Sequence, residues 1–508
     1  MSGSDRNAFL IGVDVGTTRI KAVAFDQVGT AVTAAELRTP WRRDGDGSAM
    51  DPEELRDLVL AVVAETAAPL PAPVAGIGVT GMAEAGVLLD RTGRPLAPIR
   101  AWHDQRADVA TLRAAIGEDA FHAATGVRLD TQPSLAKILQ LRQDYPQSAA
   151  AVRFDSVPEW AVRCLGGTPG SELSLASRTG LLDVVSARPW QAAIDLLGVD
   201  LLGEPRVAGT SEGTVTGAGL PAQVQGAVLA IGGHDHQCAA FAAGAARHAT
   251  LFDSLGTAEA LLQFMRGPVE SSLVADVARS PGTMTIGLTV VEGHYCVMAG
   301  LRTGMKLETV ASALGAADRR QRSHLGESAL ALLRASSPTE GLCLPGAEAA
   351  ADLVPDGVRV TLREGVTPAH VWAATIVACV DEARPALDRI RAVAGPPVQA
   401  MAAGGWTHDP SLWEAKRRQL PGVIRTAVVE AGAAGAAYLA GVAAELLAAP
   451  EHLAGAPWGA GGSGSPDTHD TAMPVRPPAT AVPARSAPSD HPPTIPAASS
   501  HSMEEVSP

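Results

Sequence analysis

The chain has 508 residues and 46% hydrophobic content, enough for about three domains and sizeable buried cores. Its formal net charge of −14 excludes nucleic acid or an anionic membrane surface as the main partner. The five cysteines, Cys164, Cys238, Cys296, Cys343 and Cys379, are odd in number and show no C-x-x-C pairing. Neither a disulfide framework nor a zinc site is indicated, and a reducing, cytoplasmic setting is expected.

The N-terminal MSGSDRNAF has no basic region before an apolar core and does not read as a signal peptide. Phe9–Asp26 then reads as a β-hairpin: an apolar run to Val13, Asp14, a Gly16-Thr17-Thr18 turn, and a second run from Ile20 to Phe25. Gly16 lets the backbone approach a ligand, and the N–H and hydroxyl groups of Thr17 and Thr18 suit phosphate oxygens. Asp14 can hold Mg²⁺ beside them, directly or through water. A single glycine followed by more strand fits neither a dinucleotide fingerprint nor a P-loop. Ala31–Arg38 reads as a third strand. Asp51-Pro52-Glu53-Glu54 opens a helix with Asp51 as N-cap and Leu55, Leu58, Val59, Val62 and Val63 on its buried face. Val74–Thr80 is a buried strand ending at Gly81, and the alternation of strand and helix predicts an α/β domain. Val87–Asp90, the Thr92-Gly93 turn and Pro95-Leu96 predict another hairpin. Trp102, His103, Asp104 and Arg106 follow closely, an aromatic face with a carboxylate and a guanidinium that suits a polyhydroxylated ligand.

Ser156–Arg163 reads as a helix before Gly166-Gly167. Ser174, Ala176, Ser177 and Thr179 read as mainly structural. Val228–Gly233 is a strand ending in a glycine pair, followed by His234, Asp235, His236 and Gln237. A carboxylate on an exposed turn after a strand is placed to accept a proton from a substrate hydroxyl in phosphoryl transfer. The flanking histidines raise a metal alternative, but H-D-H alternates in direction along an extended chain, which argues against it. Ala239–Ala246 reads as a small-residue helix. Ala249–Phe264 repeats the opening design, strand, Asp253-Ser-Leu-Gly-Thr, strand, with Gly256 and Thr257 in its turn. Two such hairpins predict duplicated domains facing each other across a nucleotide. Gly293–Gly300 reads as a strand, Leu301–Leu314 and Thr367–Val393 as helices, and Val398–Ala403 as a strand. The pair Gly404-Gly405, before a helix from Asp409-Pro410 to Lys416, lets a flat ligand lie against the backbone. Ala431–Ala449, the longest apolar stretch, carries Glu445 and is Gly/Ala-rich, so it reads as a packed helix rather than a membrane span. From about residue 450 the chain is rich in Gly, Ser, Pro and Ala, which predicts disorder.

D-x-G-T-T-x-x-K-A-x-x-F-D at Asp14–Asp26 resembles the first phosphate motif of the FGGY carbohydrate kinases, members of the sugar kinase, actin and Hsp70 superfamily. Trp102, Asp104 and Arg106 resemble that family's sugar-binding segment. G-G-x-D resembles its catalytic motif with Asp235 at the base position, and the second hairpin and Gly404-Gly405 resemble its second phosphate and adenosine motifs. The resemblance, over about residues 8–448, implies two ribonuclease-H-like, actin-like ATPase domains (8–245 and 246–449) with a cleft between them, and a tail over 450–508. It implies an ATP- and Mg²⁺-dependent kinase acting on a sugar or polyol, with xylulose-like ketopentoses favoured; a homodimer is compatible. Asp235 would be the general base, and Glu84, Trp102, Asp104, Arg106, His234 and Gln237 would bind the acceptor. Thr17, Thr18, Lys21, Gly256, Thr257, Gly404 and Gly405 would bind ATP, with Asp14 at the metal. Glu84 stands where xylulose kinases usually carry His and glycerol kinases carry Glu, while Ala83 stands where glycerol kinases carry Arg. The G-E-R-x-P segment of many relatives is absent after Leu344-Pro345. An actin- or Hsp70-type ATPase and a non-catalytic sugar-binding relative are the alternatives.

Overall fold

The computed structural model describes residues 8–450 and Trp458, apart from 46, 218, 247, 248, 317, 336–348, 355, 356 and 363. The first hairpin forms as the apolar runs predict. β1 (Phe9–Val15) and β2 (Arg19–Phe25) pair antiparallel, β3 (Ala31–Arg38) continues from β2, and β4 (Val74–Gly81) lies parallel to β1. With β5 (Ser211–Thr214) and β6 (Val228–His234), they make a six-stranded sheet of order β5-β6-β4-β1-β2-β3. Helix α1 (Pro52–Ala67) starts where the capping chemistry requires: Asp51 accepts a hydrogen bond from the Glu53 N–H, and Pro52 supplies the first turn. Its Leu55, Val59, Val62 and Val63 are fully buried. Helix α2 (Val157–Cys164) has a capping box between Ser156 and Glu159.

The second hairpin opens an equivalent sheet. β7 (Thr250–Leu255) and β8 (Glu259–Arg266) pair antiparallel. β9 (Thr283–Leu288), β10 (His294–Leu301), β11 (Gln399–Ala403) and β12 (Ile424–Arg425) complete the order β9-β10-β8-β7-β11-β12. As in the first sheet, the strand of the hairpin that leads the turn has a parallel neighbour on its other side. The molecule is thus α/β with two sheet-containing halves of one design. Helix α3 (Asp235–Ala242) leaves β6, and α4 (Thr303–Ala313), α5 (Pro368–Ala394) and α6 (Pro410–Gln419) belong to the second half. We keep the proposed division at residues 245 and 246. Helix α7 (Ala431–Ala443), late in the sequence, lies on the first sheet.

That contact is made by backbone. A Cβ added at Gly12 of β1 would stand 1.7 Å from the Ala433 carbonyl oxygen, and one at Gly78 of β4 would stand 1.9 Å from that of Ala436. At Gly76 it would meet the Ala440 oxygen at 2.9 Å, and at Gly232 the Ala436 Cβ at 2.9 Å. Residues 433, 436 and 440 share one helix face, so the glycines of three adjacent strands receive one row of the helix.

Some details differ from the sequence expectations. The 87–96 hairpin is short, held by the Asp90 N–H donating to the Arg94 carbonyl, the Leu96 N–H to the Leu88 carbonyl and a Leu89–Pro95 bridge, and Gly86–Leu89 also pairs with Arg153–Ser156. The small-residue helix runs over Asp235–Ala242 rather than 239–246, since the chain turns helical directly after β6. β9 and a helix at Arg319–Ala335 were not anticipated. Trp458, within the expected tail, packs with ring centroids 5.2 Å from Phe25 and 5.5 Å from Tyr438. The Leu344–Glu348 segment, Cys343 and the other residues from 451 onward lie outside the described residues. Among the described residues, no helix is long and apolar enough to cross a membrane.

Gly12→Ala and Gly78→Ala are each expected to cost about 3 kcal/mol or more, because backbone cannot yield to the new methyl group. Gly357→Ala, which meets nothing within 4 Å, is expected to change stability by less than about 0.5 kcal/mol. Urea unfolding checks this; wild-type stability in Gly12→Ala would refute the close approach of α7.

Candidate active site

The first turn is closed by the Gly16 N–H donating to the Arg19 carbonyl at 3.0 Å. Two tryptophans hold it from outside: Trp41 Nε1 donates to the Thr17 carbonyl at 2.8 Å, and Trp102 Nε1 to Thr17 Oγ1 at 3.0 Å. With its oxygen accepting from Trp102, the Thr17 hydroxyl proton is free to point at a ligand. Lys21 Nζ lies 2.7 Å from Glu430 and 3.6 Å from Glu36, so it is drawn toward the start of α7. Asp14 sits beside the same helix end; a Cβ at Gly432 would stand 2.5 Å from its Oδ2. Asp14 Oδ1 is buried with no hydrogen-bond partner. Burial, reinforced by the Asp235 charge and opposed by Lys21, pushes the Asp14 carboxyl up to about 8. An orphaned carboxylate oxygen among other carboxylates fits a divalent cation.

Asp235 is the first residue of α3, at the C-terminal end of β6, and its side chain is 24% exposed. Oδ1 accepts from the His236 N–H at 2.6 Å. Burial, with the Glu84 charge adding to it, pushes its carboxyl up to about 7. The end of β6 is pinned where the His234 N–H donates to Ser174 Oγ at 2.9 Å, while the Ser174 hydroxyl donates to Glu172. Ser174 is therefore a support. His236 Nδ1 lies 3.0 Å from Ser254 Oγ, joining the Asp235 segment to the second turn. The expectation that H-D-H alternates in direction is overturned: strand ends at His234 and helix begins at Asp235, so one ligand atom from each of the three lies within 4.8 Å of the others.

Glu84 is buried in the left-handed region at φ 60°, a strained position for a residue with a side chain. It is held there by Arg178, whose Nε donates to Oε1 at 2.7 Å, by Gln132 Nε2 at 3.3 Å, and by Ser134 Oγ donating to its carbonyl. Lys137 donates to the Gln132 carbonyl, and burial pushes its ammonium down to about 8 against the pull of Glu84. Glu84, Asp130, Gln132 and Arg178 line a recess of about 250 Å³, solvent included, whose far wall is Thr283–Thr285 of β9. A second recess joins Arg178 to Gln237. Arg178 Nη1 and Gln237 Oε1 are buried without partners, the condition of groups awaiting a polar ligand.

The Trp102-Asp104-Arg106 cluster is tied into the protein at several points. Trp102 serves the first turn, while Asp104 is buried and accepts from the Ser48 N–H and from Arg106, which also reaches Asp44. Adjacent opposite charges at i and i+2 satisfy one another.

In the second turn the Gly256 N–H donates to the Ala258 carbonyl, and Thr257 is exposed. Gly404, at φ 101°, abuts it; a Cβ there would stand 2.3 Å from the Leu255 carbonyl oxygen. Gly405 faces open space, next to Trp406 under the Arg322 guanidinium at 5.7 Å. Asp253 differs from its counterpart Asp14. Its Oδ2 lies 3.0 Å from Lys416 Nζ, which also bonds Glu259, and all three are buried. Sequence reasoning missed Arg178, Gln132, Lys137 and Lys416. Arg178 carried a signal, a lone charge in the run Ser174–Thr179; the others carried none.

A profile of the N-terminal domain of the FGGY family of carbohydrate kinases matches residues 9–242. The chain is similar to a protein named glycerol kinase of Acidovorax ebreus, at 28% identity over 482 residues, 88% of this chain and 92% of that protein. Its fold is similar to xylulose kinase from Rhodospirillum rubrum (TM-score 0.72, 23% identity, 88% and 93% of the two chains). It is also similar to Plasmodium falciparum glycerol kinase with ADP (TM-score 0.74, 16% identity, 87% and 91%).

Lys416→Met is expected to destabilise by about 3–5 kcal/mol by leaving two carboxylates without a cation. Burial, against the pull of Lys416, already raises the Asp253 carboxyl to about 7, and a raised folded-state pKa means stability falls as pH rises toward it. Removing Lys416 raises it further, so the deficit should grow from pH 6 to pH 8.5. Urea titrations at both values check this, and a pH-independent deficit would contradict it.

Proposed function

This chain belongs to the FGGY family of carbohydrate kinases and is a phosphotransferase with an alcohol group as acceptor; on that premise we propose that it moves the γ-phosphoryl group of ATP to a hydroxyl of a small neutral polyol or ketose, with Asp235 as general base. The observation that carries this reading is the place of Asp235. It lies at the end of β6, linked through His236 to the second turn, and it feels the charge of Glu84 on the acceptor side.

The acceptor O–H donates to Asp235 as its oxygen bonds the γ-phosphorus. The bridging P–O bond breaks, ADP leaves, and the proton stays on the carboxylate. A carboxyl near 7 is matched to holding that proton at neutral pH. The N–H and hydroxyl groups of Thr17, Thr18 and Thr257 can take up phosphate charge, with Gly256 allowing close approach in the second turn, and Gly405 leaves room for the adenosine. Mg²⁺, when bound, would neutralise phosphate charge; Asp14, with its orphaned oxygen, is the residue that would hold it, directly or through water. Glu84, Gln237, Arg178 and His234 supply acceptors and donors for several adjacent hydroxyls. An acidic sugar fits less well, because its carboxylate would share the site with Asp235 and Glu84. The cysteines described, 164, 238, 296 and 379, are free thiols, which supports the cytoplasmic setting. Glycerol and the ketopentoses are the first acceptors to compare, followed by deoxyketoses, aldonates and longer polyols.

Asp235→Asn is expected to lower kcat by about 10²–10⁴ with the fold intact. In the wild type, kcat/KM should fall as pH drops through about 7, because a protonated Asp235 cannot accept the hydroxyl proton; the variant should lack that limb. Mg²⁺-dependent ADP release measures both. Acceptor-independent release, equal in wild type and variant, would move the actin- or Hsp70-type ATPase reading to the front.

Mg²⁺ must displace a proton from an Asp14 carboxyl raised to about 8. Its thermal stabilisation of the protein should therefore be larger at pH 8.5 than at pH 6.5 and absent in Asp14→Asn. Equal shifts at both values, or in the variant, would place the cation elsewhere.

A further inference from the structure

A buried histidine, His234, and a half-buried one, His236, flank the proposed base, and phosphoryl transfer needs neither as a metal ligand. We propose that His234, Asp235 and His236 form a binding site for one transition-metal dication of the zinc class, and that occupying it stops turnover by taking Asp235 from the acceptor. The binding half stands on geometry alone; the inhibitory half rests on the kinase reading.

His234 Nε2 lies 3.3 Å from Asp235 Oδ1, and His236 Nε2 lies 4.0 Å from the same oxygen. Zinc–nitrogen and zinc–oxygen distances of about 2.1 Å put neighbouring ligand atoms of a tetrahedral site about 3.4 Å apart. One pair already has that spacing, and the other needs a shift of about 0.6 Å. The two imidazoles meet edge to face, with centroids 5.5 Å apart and planes at 81°, so they do not stack. His236 has the outer partner that a ligating imidazole requires: with Nδ1–H donating to Ser254 Oγ at 3.0 Å, Nε2 presents its lone pair toward Asp235. Burial favours the neutral, ligating form of both rings and holds His236 down at about 4. Three protein ligands leave a fourth position for water or an acceptor hydroxyl. Two imidazoles and a carboxylate select zinc, cobalt or nickel over magnesium, whereas the Asp14 site offers only oxygen and suits magnesium.

The test uses the full-length protein, stripped with a chelator and titrated with Co²⁺. A tetrahedral site with nitrogen ligands gives intense visible absorption; an oxygen-only octahedral site gives weak bands. The wild type and Asp14→Asn should show the intense band, and His236→Asn and His234→Gln should lose it, with folding of each checked by circular dichroism. Loss of an outer partner alone typically weakens metal binding by about 10–100-fold, so loss of a ligand should weaken Zn²⁺ at least about tenfold in competition with a chromogenic chelator. No intense band in the wild type, or a band that survives in His236→Asn, overturns the site. In turnover assays at saturating MgATP, Zn²⁺ should raise the acceptor KM reversibly, with at least about tenfold less sensitivity in His236→Asn. A band with turnover unaffected by Zn²⁺ overturns the inhibitory half. A band in a protein that turns over no acceptor supports the site and refutes the kinase reading instead.

Discussion

Everything at the centre of this molecule depends on α7 lying directly on the strands of the first sheet. Helices usually rest on sheets through side chains of both partners; here Gly12, Gly76, Gly78 and Gly232 remove the sheet's contribution, and the carbonyls of Ala433, Ala436 and Ala440 occupy the space. The closeness has a chemical consequence. It carries the first turn of α7 against the Asp14 carboxylate, where Gly432 leaves room for it, and Gly435 against Cys238 of α3. The helix that begins with Asp235 and the strand that carries Asp14 are thereby held by one rod. The positive end of α7 lies where phosphate and carboxylate charge gather.

The two hairpins share a design and resolve its charge differently. Each carries an aspartate near the end of its leading strand, before a Gly-Thr turn, with Asp253 buried and Asp14 half-buried. Asp253 has its cation built in, Lys416, whose buried ammonium also serves Glu259. Asp14 has none of comparable closeness, because Lys21 is bound to Glu430 and Glu36. Asp253 is thus neutralised within the fold, whereas Asp14 Oδ1 has neither a hydrogen-bond partner nor a built-in ammonium beside it. The asymmetry sets apart the Asp14 half, which also carries Asp235.

What the sequence reveals follows the range of the interactions. Both hairpins, the Asp51 cap of α1 and the glycine pair at 404–405 are local, and their spacing alone predicts them. The acceptor side is not local. Glu84 is held by Gln132 and Arg178, with Lys137 behind, from three segments that only the fold brings together. Trp102, Asp104 and Arg106 are close in sequence, yet their partners are long-range as well as local: Asp104 and Arg106 pair with each other, Arg106 reaches Asp44, and Trp102 donates to Thr17. The direction of the His234–His236 side chains hangs on a single boundary, the change from strand to helix at Asp235. Periodicity locates such boundaries poorly.

Glu84 and Asp235 show how one cleft can hold two carboxylates with separate tasks. Glu84 is already paired, its oxygen shared by Arg178 and Gln132 on a strained backbone that fixes its direction. Its direction is set by those partners. Asp235 accepts one backbone N–H and faces no cation of its own; burial raises it to about 7. That is the environment of a group that changes protonation state during a reaction. Environments that differ this way assign roles to like residues. On the proposed reading, the phosphorylated hydroxyl would meet Asp235 and the rest of the acceptor would lie toward Glu84, Arg178 and Gln237.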